Sequence, residues 1–79
     1  MDPATAFGRV LRQVRKDAGY TQERLALEAG VERNFVSLIE RGINQPTVRV
    51  IFRLSKALSM APSKLIHMVE QEIDRHIAK

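Results

Sequence analysis

The chain has 79 residues, and its thirteen lysines and arginines against nine acidic residues give a net charge of +4. This length fills one small core, so we expect a single domain over residues 1–79 and no second one. The absence of cysteine excludes disulfide bonds and thiolate metal sites, and the excess of positive charge favours a polyanionic partner.

The first predicted helix begins at Asp2 and Pro3 and ends at Gly19. Asp2 can cap the free backbone amides, and Pro3 suits the first helical position, where no amide hydrogen is missed. Its apolar residues recur at helical spacing, which predicts one buried face. They are Phe7, Val10, Leu11 and Val14.

Two short helices follow, one from Gln22 to Ala29 with Thr21 as its cap, and one from about Arg33 to Arg41. Gly30 lies between them, where a tight turn needs a residue that tolerates positive φ. Each helix carries a short apolar stripe at helical spacing. The stripes are Leu25, Ala26 and Ala29 for the first helix and Val31, Val36 and Ile39 for the second, whose apolar pattern starts in the turn before the helix. This arrangement predicts a helix-turn-helix.

A fourth helix is predicted to begin after Thr47, and Pro62 suits the start of a fifth over residues 62–78. The fourth has apolar residues at Val48, Ile51, Leu54, Ala57 and Leu58, and the fifth at Leu65, Ile66, Met68, Val69, Ile73 and Ile77. No strand-like alternation occurs anywhere. The sequence therefore predicts an all-α fold, a compact bundle of five helices.

The signature of the chain is an ordered set of short motifs over more than fifty residues. They are Arg15, Gly19–Gln22, Leu25–Ala26, Gly30–Val31, Ser37–Gly42, Pro46–Thr47, and Leu54 with Ala57–Leu58. From Val10 to Leu65 the chain resembles the lambda-repressor and Cro-like, or XRE-type, helix-turn-helix family. The single-domain form and the segment from Arg33 to Ser37 also resemble the small controller proteins of restriction-modification systems.

The resemblance implies that the third helix enters the major groove of DNA while the second crosses the backbone. Arg33, Asn34 and Ser37 are the expected base-reading residues, because arginine suits guanine edges and asparagine suits adenine edges. Glu32 stands where the family usually has a serine, threonine or aspartate cap, and its carboxylate is expected to accept either from a cytosine amino group or from neighbours of Arg33 in the free protein. For Arg33 a phosphate contact is the alternative, and for Ser37 a contact with the neighbouring helix. Phe35 either packs inward or touches a thymine methyl group.

The same resemblance implies contacts that fix the register of the protein on DNA and the angle of the third helix. The expected phosphate-binding residues are Thr21, Gln22, Arg41, Asn44, Gln45 and Arg49, with ordinary polar surface as the alternative. Arg15 and Glu40 are expected to form a structural ion pair between the first and third helices, since a guanidinium and a carboxylate can share two parallel hydrogen bonds.

One reading helix covers only a few base pairs, so we expect a symmetric homodimer on a palindromic site in double-stranded DNA. The predicted interface lies on the C-terminal helix, residues 62–78. Its residues are Leu65, Ile66, Val69, Ile73 and Ile77. The alternative for Leu65 and Val69 is that they close the monomer core.

We expect no enzyme, since the chain lacks a phosphate-binding glycine loop, and its two imidazoles, His67 and His76, are half a turn out of phase and predicted to face solvent. No catalytic residue, metal, cofactor or small-molecule substrate is therefore expected. Without an apolar run of about 18 residues or a leader peptide, we expect a soluble cytoplasmic protein with no membrane partner. The competing function is an antitoxin or another protein-interaction module with the same fold.

Overall fold

The computed structural model describes residues 1–77, which form five α-helices and no strand. The helices are α1 (Pro3–Asp17), α2 (Gln22–Ala29), α3 (Arg33–Glu40), α4 (Val48–Ala57) and α5 (Pro62–Ile77). The predicted fold class is confirmed. The third helix ends one residue earlier than predicted, and position 78 of the predicted fifth helix lies outside the described residues. Within residues 1–77 no helix is long and apolar enough to cross a membrane.

Side chains fix where three of the helices begin. Asp2, Thr21 and Thr47 each accept a hydrogen bond from a backbone N–H two or three residues further on, at 2.9 to 3.2 Å. These bonds satisfy amides that have no partner inside the helix. The three predicted caps are confirmed, whereas Glu32, which precedes α3, makes no such bond with its side chain.

The helix ends from α1 to α4 share one pattern of backbone hydrogen bonds. In α4 the N–H of Ser59 donates to the carbonyl of Lys56, and the N–H of Met60 donates to the carbonyl of Ser55. This is the Schellman arrangement, which requires a left-handed residue after the helix. Glycine fills that position after the other three helices, but after α4 it is Ser59, with φ of 54°.

Replacing Ser59 by glycine is expected to raise the free energy of unfolding by up to about 1 kcal/mol. A side chain in the left-handed region costs about 1 to 2 kcal/mol, and the greater freedom of glycine in the unfolded chain offsets part of that gain. Denaturant unfolding of Ser59→Gly against the unchanged protein measures the difference. A variant less stable than the parent would contradict the strain assigned to this residue.

The core takes side chains from all five helices, because α1 packs against α3 and α5 while α2 packs against α3 and α4. The largest fully buried side chains are Leu11, Leu25, Val36, Ile39, Leu54, Ser55 and Leu65. The assignment of Val48 to the apolar stripe of α4 was wrong. Val48 lies in the first turn of the helix and is 70% exposed. Buried Ser55 satisfies its hydroxyl by donating to the carbonyl of Ile51 at 2.7 Å.

The apolar stripe of α5 divides between the core and the surface. Leu65 is fully buried and Val69 is 7% exposed, both within the core of this chain. This burial supports the alternative given for these two residues, that they close the core of the monomer. Ile66 is 40% exposed and Ile77 73% exposed, and Ile73 is partly buried.

A polar cluster joins α1 to the end of α5. The buried carboxylate of Glu72 accepts a hydrogen bond from Arg75 and lies 3.8 Å from the Arg9 guanidinium. The hydrogen bond from Arg75 lowers the pKa of Glu72, although burial acts in the opposite direction. His76, predicted to face solvent, lies 3.0 Å from both Arg9 and the Glu72 carbonyl, whereas the His67 side chain is 65% exposed.

Candidate nucleic-acid interface

The helix-turn-helix consists of α2 and α3, joined through Gly30 at φ of 70°. The faces that the two helices turn inward are apolar and buried, with Leu25 and Ile39 fully so. The burial of these faces against α1 and α4 determines which side of α3 remains outside. The outer side carries the polar residues that the sequence analysis predicts to contact DNA.

The base-reading residues that the sequence predicted lie together at the N-terminal end of α3. Glu32, Arg33 and Asn34 are exposed, and Ser37, one turn further along, is half-buried. Among residues 1–77, none of these four side chains has a hydrogen bond to another residue. Their donors and acceptors are therefore free for a ligand, and those of Glu32, Arg33 and Asn34 are more accessible than the hydroxyl of Ser37.

The position of Phe35 decides between inward packing and contact with a thymine methyl group. Its ring is partly buried against the core cluster, so it packs inward, as aromatic side chains usually do. This contact orients the neighbouring Asn34 outward, because successive residues of a helix point about 100° apart.

A buried ion pair joins α1 to α3. The Arg15 Nε donates to Glu40 Oε2 at 2.6 Å, and its Nη2 donates to Glu40 Oε1 at 3.1 Å. Arg15 Nη1 donates further to the backbone carbonyl of Tyr20 at 2.8 Å. The side chains of Arg15 and Glu40 are 9% and 3% exposed, so the pair is shielded from solvent and holds the C-terminal end of α3 on α1.

Gln22 takes part in the same network. Its side-chain Nε2 donates to Glu40 Oε1 at 2.9 Å, so one of its two amide hydrogens is engaged inside the protein. The sequence predicted a phosphate contact for Gln22 and gave no sign of this bond. The second amide hydrogen and the backbone N–H at the start of α2 are what remains for a phosphate.

The other residues predicted to bind phosphate lie around the two ends of the helix-turn-helix. Thr21 is exposed and caps α2, while Arg41, Gln45 and Arg49 are exposed and Asn44 is half-buried. Within residues 1–77, the guanidinium groups of Arg33, Arg41 and Arg49 have no carboxylate within salt-bridge distance. These unneutralised charges lie at the start of α3 (Arg33), just after it (Arg41) and in the first turn of α4 (Arg49).

Gly8 is a residue of this region that the sequence analysis missed. It lies in the middle of α1 and is buried, and the backbone of α3 passes directly beside it. A single glycine inside a helical pattern destabilises that helix by about 1 kcal/mol relative to alanine. The isolated Gly8 was therefore the available signal of a close backbone approach.

Comparison with known proteins identifies the fold. A helix-turn-helix family model matches residues 11–65. The chain belongs to the helix-turn-helix family.

Several relatives are named as transcriptional regulators or control proteins. The control protein C.BamHI of Bacillus amyloliquefaciens is 38% identical over 61 residues, which are 76% of this chain and 75% of that protein. The HTH-type transcriptional regulator SlrR of Bacillus subtilis (strain 168) is 37% identical over 60 residues, which are 75% of this chain and only 40% of SlrR. The restriction-modification controller C.Esp1396I, solved as a tetramer with its natural 35 base-pair operator, superposes with a TM-score of 0.84 at 26% identity, over 92% of this chain and 96% of that one.

Proposed function

We propose that this protein is a sequence-specific transcription regulator that binds a palindromic operator as a homodimer and acts in the cytoplasm. The observation that carries the proposal is the free polar end of α3, where Arg33 and Asn34 are exposed and have no hydrogen-bond partner among the described side chains. The relatives named as regulators, and the operator complex of C.Esp1396I, support the same function.

In the proposed complex the N-terminal end of α3 enters the major groove. Arg33 donates two hydrogen bonds to O6 and N7 of a guanine, and Asn34 pairs with N6 and N7 of an adenine. Ser37 lies on the same face of α3, one turn after Arg33, and contacts a neighbouring base. Exposed Glu32 accepts a hydrogen bond from a cytosine amino group. Each bidentate contact contributes about 1 to 3 kcal/mol of discrimination between bases.

Phosphate contacts hold α3 in register. Thr21 and the remaining donors of Gln22 approach the backbone at the start of α2, while Arg41, Asn44, Gln45 and Arg49 approach it after α3. The absence of neutralising carboxylates around Arg41 and Arg49 in residues 1–77 supports this role. These contacts carry no sequence information, and they make affinity depend on salt.

The homodimer interface is proposed on the exposed apolar residues of α4 and α5 instead of the whole α5 stripe. Phe52 is 59% exposed and Ile66 40%, and Met60 and Pro62 line the same shallow cavity as Phe52. Ile77 is 73% exposed and Ile73 partly exposed, and a second copy that covers such apolar side chains is stabilised by their burial. A two-fold axis through this surface presents the two α3 helices to successive major grooves.

Replacing Arg33 by alanine is expected to remove the base preference at one symmetric pair of operator positions. The guanidinium is exposed and has no partner among residues 1–77, so its loss leaves the core untouched and removes only the contact to the base. Selection from a randomised duplex pool defines the preferred site of the unchanged protein, and repeating the selection with Arg33→Ala measures the change. The affinity for the original site is expected to fall by about 1 to 3 kcal/mol per half-site.

Arg12→Ala is the matched control, since it removes one exposed guanidinium from α1 and is expected to leave every position of the preferred site unchanged. If Arg33→Ala selects the same site with the same stringency, α3 is not the reading helix. If the unchanged protein enriches no sequence at all, and its binding to DNA does not weaken steeply with salt, a protein-interaction role replaces the proposed one.

A further inference from the structure

The backbone of α1 touches the last turn of α3 at Gly8. A Cβ atom built on Gly8 would lie 2.4 Å from the carbonyl oxygen of Ile39 and 2.7 Å from that of Glu40. Both oxygens belong to the backbone, so no flexible side chain can move aside to make room. The close approach of α1 and α3 therefore depends on the absence of a side chain at position 8.

Other contacts fasten the same end of α3. The carboxylate of Glu40 is held by Arg15 and Gln22. Gly42, just after the helix, lies so close to α1 that a Cβ on it would be 3.2 Å from the Thr5 Cα. The C-terminal end of α3 is thus seated on α1, whereas its N-terminal end has no side-chain cap.

We infer that Gly8 is a positioning residue for base recognition, which sets the tilt of α3 by letting its C-terminal carbonyls rest against the backbone of α1. The inference rests on the proposed function. Ordinary contact begins near 3.4 Å, so a methyl group at position 8 separates the two backbones by about 1 Å. Recognition sites tolerate displacements of only about 0.5 Å, and Arg33 lies about 10 Å along the helix from this contact.

The effect of Gly8 is expected in the discrimination between DNA sequences. Gly8→Ala leaves Arg33, Asn34 and every proposed phosphate-binding residue in place, but it moves the helix that aims them. The ratio of affinities for the selected operator and for an unrelated duplex of the same length, at one salt concentration, is expected to fall by about 10- to 100-fold. This range corresponds to the loss of one bidentate contact in one or both half-sites.

A second variant tests the contact between α1 and the C-terminal end of α3 with a smaller displacement. Gly42→Ala places its methyl group 3.2 Å from Thr5, so it displaces α3 by a few tenths of an ångström, and a smaller fall in the ratio is expected. Gly19→Ala is the control: its φ of 77° matches the 75° of Gly42, but nothing lies within 4 Å of the added carbon. It introduces the same backbone strain without pushing on α3, so the ratio is expected to stay that of the unchanged protein.

The outcomes separate the two proposals. If the unchanged protein selects an operator and Gly8→Ala keeps its affinity ratio, the inference is overturned while the proposed function stands. If Gly8→Ala does not fold, an unchanged ratio in Gly42→Ala overturns it in the same way, as does an equal loss in Gly19→Ala, which would reflect general loosening. If the unchanged protein selects no sequence, the proposed function fails and the inference fails with it.

Discussion

Replacing Glu40 by alanine is expected to lower the free energy of unfolding by about 3 to 5 kcal/mol. The substitution leaves the Arg15 guanidinium in a site where its side chain is only 9% exposed, without the carboxylate that accepts two of its hydrogen bonds. It also removes the acceptor for the Gln22 amide. Denaturant unfolding of Glu40→Ala, monitored by far-ultraviolet circular dichroism, measures the loss.

The exposed pair of Arg24 and Glu28 provides the control. Arg24 Nε lies 3.1 Å from Glu28 Oε1, and both side chains are largely exposed. Glu28→Ala is therefore expected to lower the free energy of unfolding by less than about 1 kcal/mol. In addition, the double variant Arg15→Met with Glu40→Leu is expected to recover most of the stability, because no unpaired charge is left buried. A similar cost for Glu28→Ala and Glu40→Ala would mean that burial of the pair has no energetic consequence.

Substitutions at two adjacent residues of α5 are expected to affect different properties, the stability of the monomer at Leu65 and the association of two copies at Ile66. Leu65→Ala removes a fully buried side chain and is expected to cost about 2 to 5 kcal/mol of stability, through lost apolar burial and the cavity left behind. Ile66→Asp places a charge at a position that is 40% exposed, and is expected to dissociate the dimer while the monomer stays folded. Denaturant unfolding measures the first effect, and sedimentation equilibrium measures the second.

The conservative variant Ile66→Ala serves as the control for the charged one, since it is expected to weaken the dimer less than Ile66→Asp and to leave unfolding of the monomer almost unchanged. A monomer that unfolds in Ile66→Asp under conditions where the parent is stable would assign Ile66 to the core. A variant that remains fully dimeric would move the proposed interface away from this part of α5.

The helices were predictable from local signals. Asp2, Thr21 and Thr47 could be identified as caps because the bond each makes joins residues only two or three apart. Glycines likewise indicated where three of the helices end, since the left-handed conformation is a property of one residue. The end of α4 was also predicted, by the segment from Ser59 to Pro62, but the left-handed conformation of Ser59 was not, because serine adopts it only when the surrounding bonds enforce it.

Long-range features were harder to predict. The periodicity of α5 indicated one apolar stripe but could not say that Leu65 enters the core while Ile66 remains partly exposed, because that depends on where α1 and α4 lie. The Arg15 and Glu40 pair was implied by family resemblance alone. The bond from Gln22 and the contact at Gly8 join residues that are distant in sequence, and no spacing rule connects them.

The position of α1 has a consequence for how such a protein diverges. This single helix packs against both α3 and α5, so in the proposed dimer the scaffold sets the distance between the two α3 helices. If α3 reads DNA as proposed, changes at the exposed positions Arg33 and Asn34 alter the bases that are chosen and leave the separation of the half-sites unchanged. Duplicated copies of the protein would then acquire new operators that differ at a few base pairs. The length and the symmetry of the operator would persist.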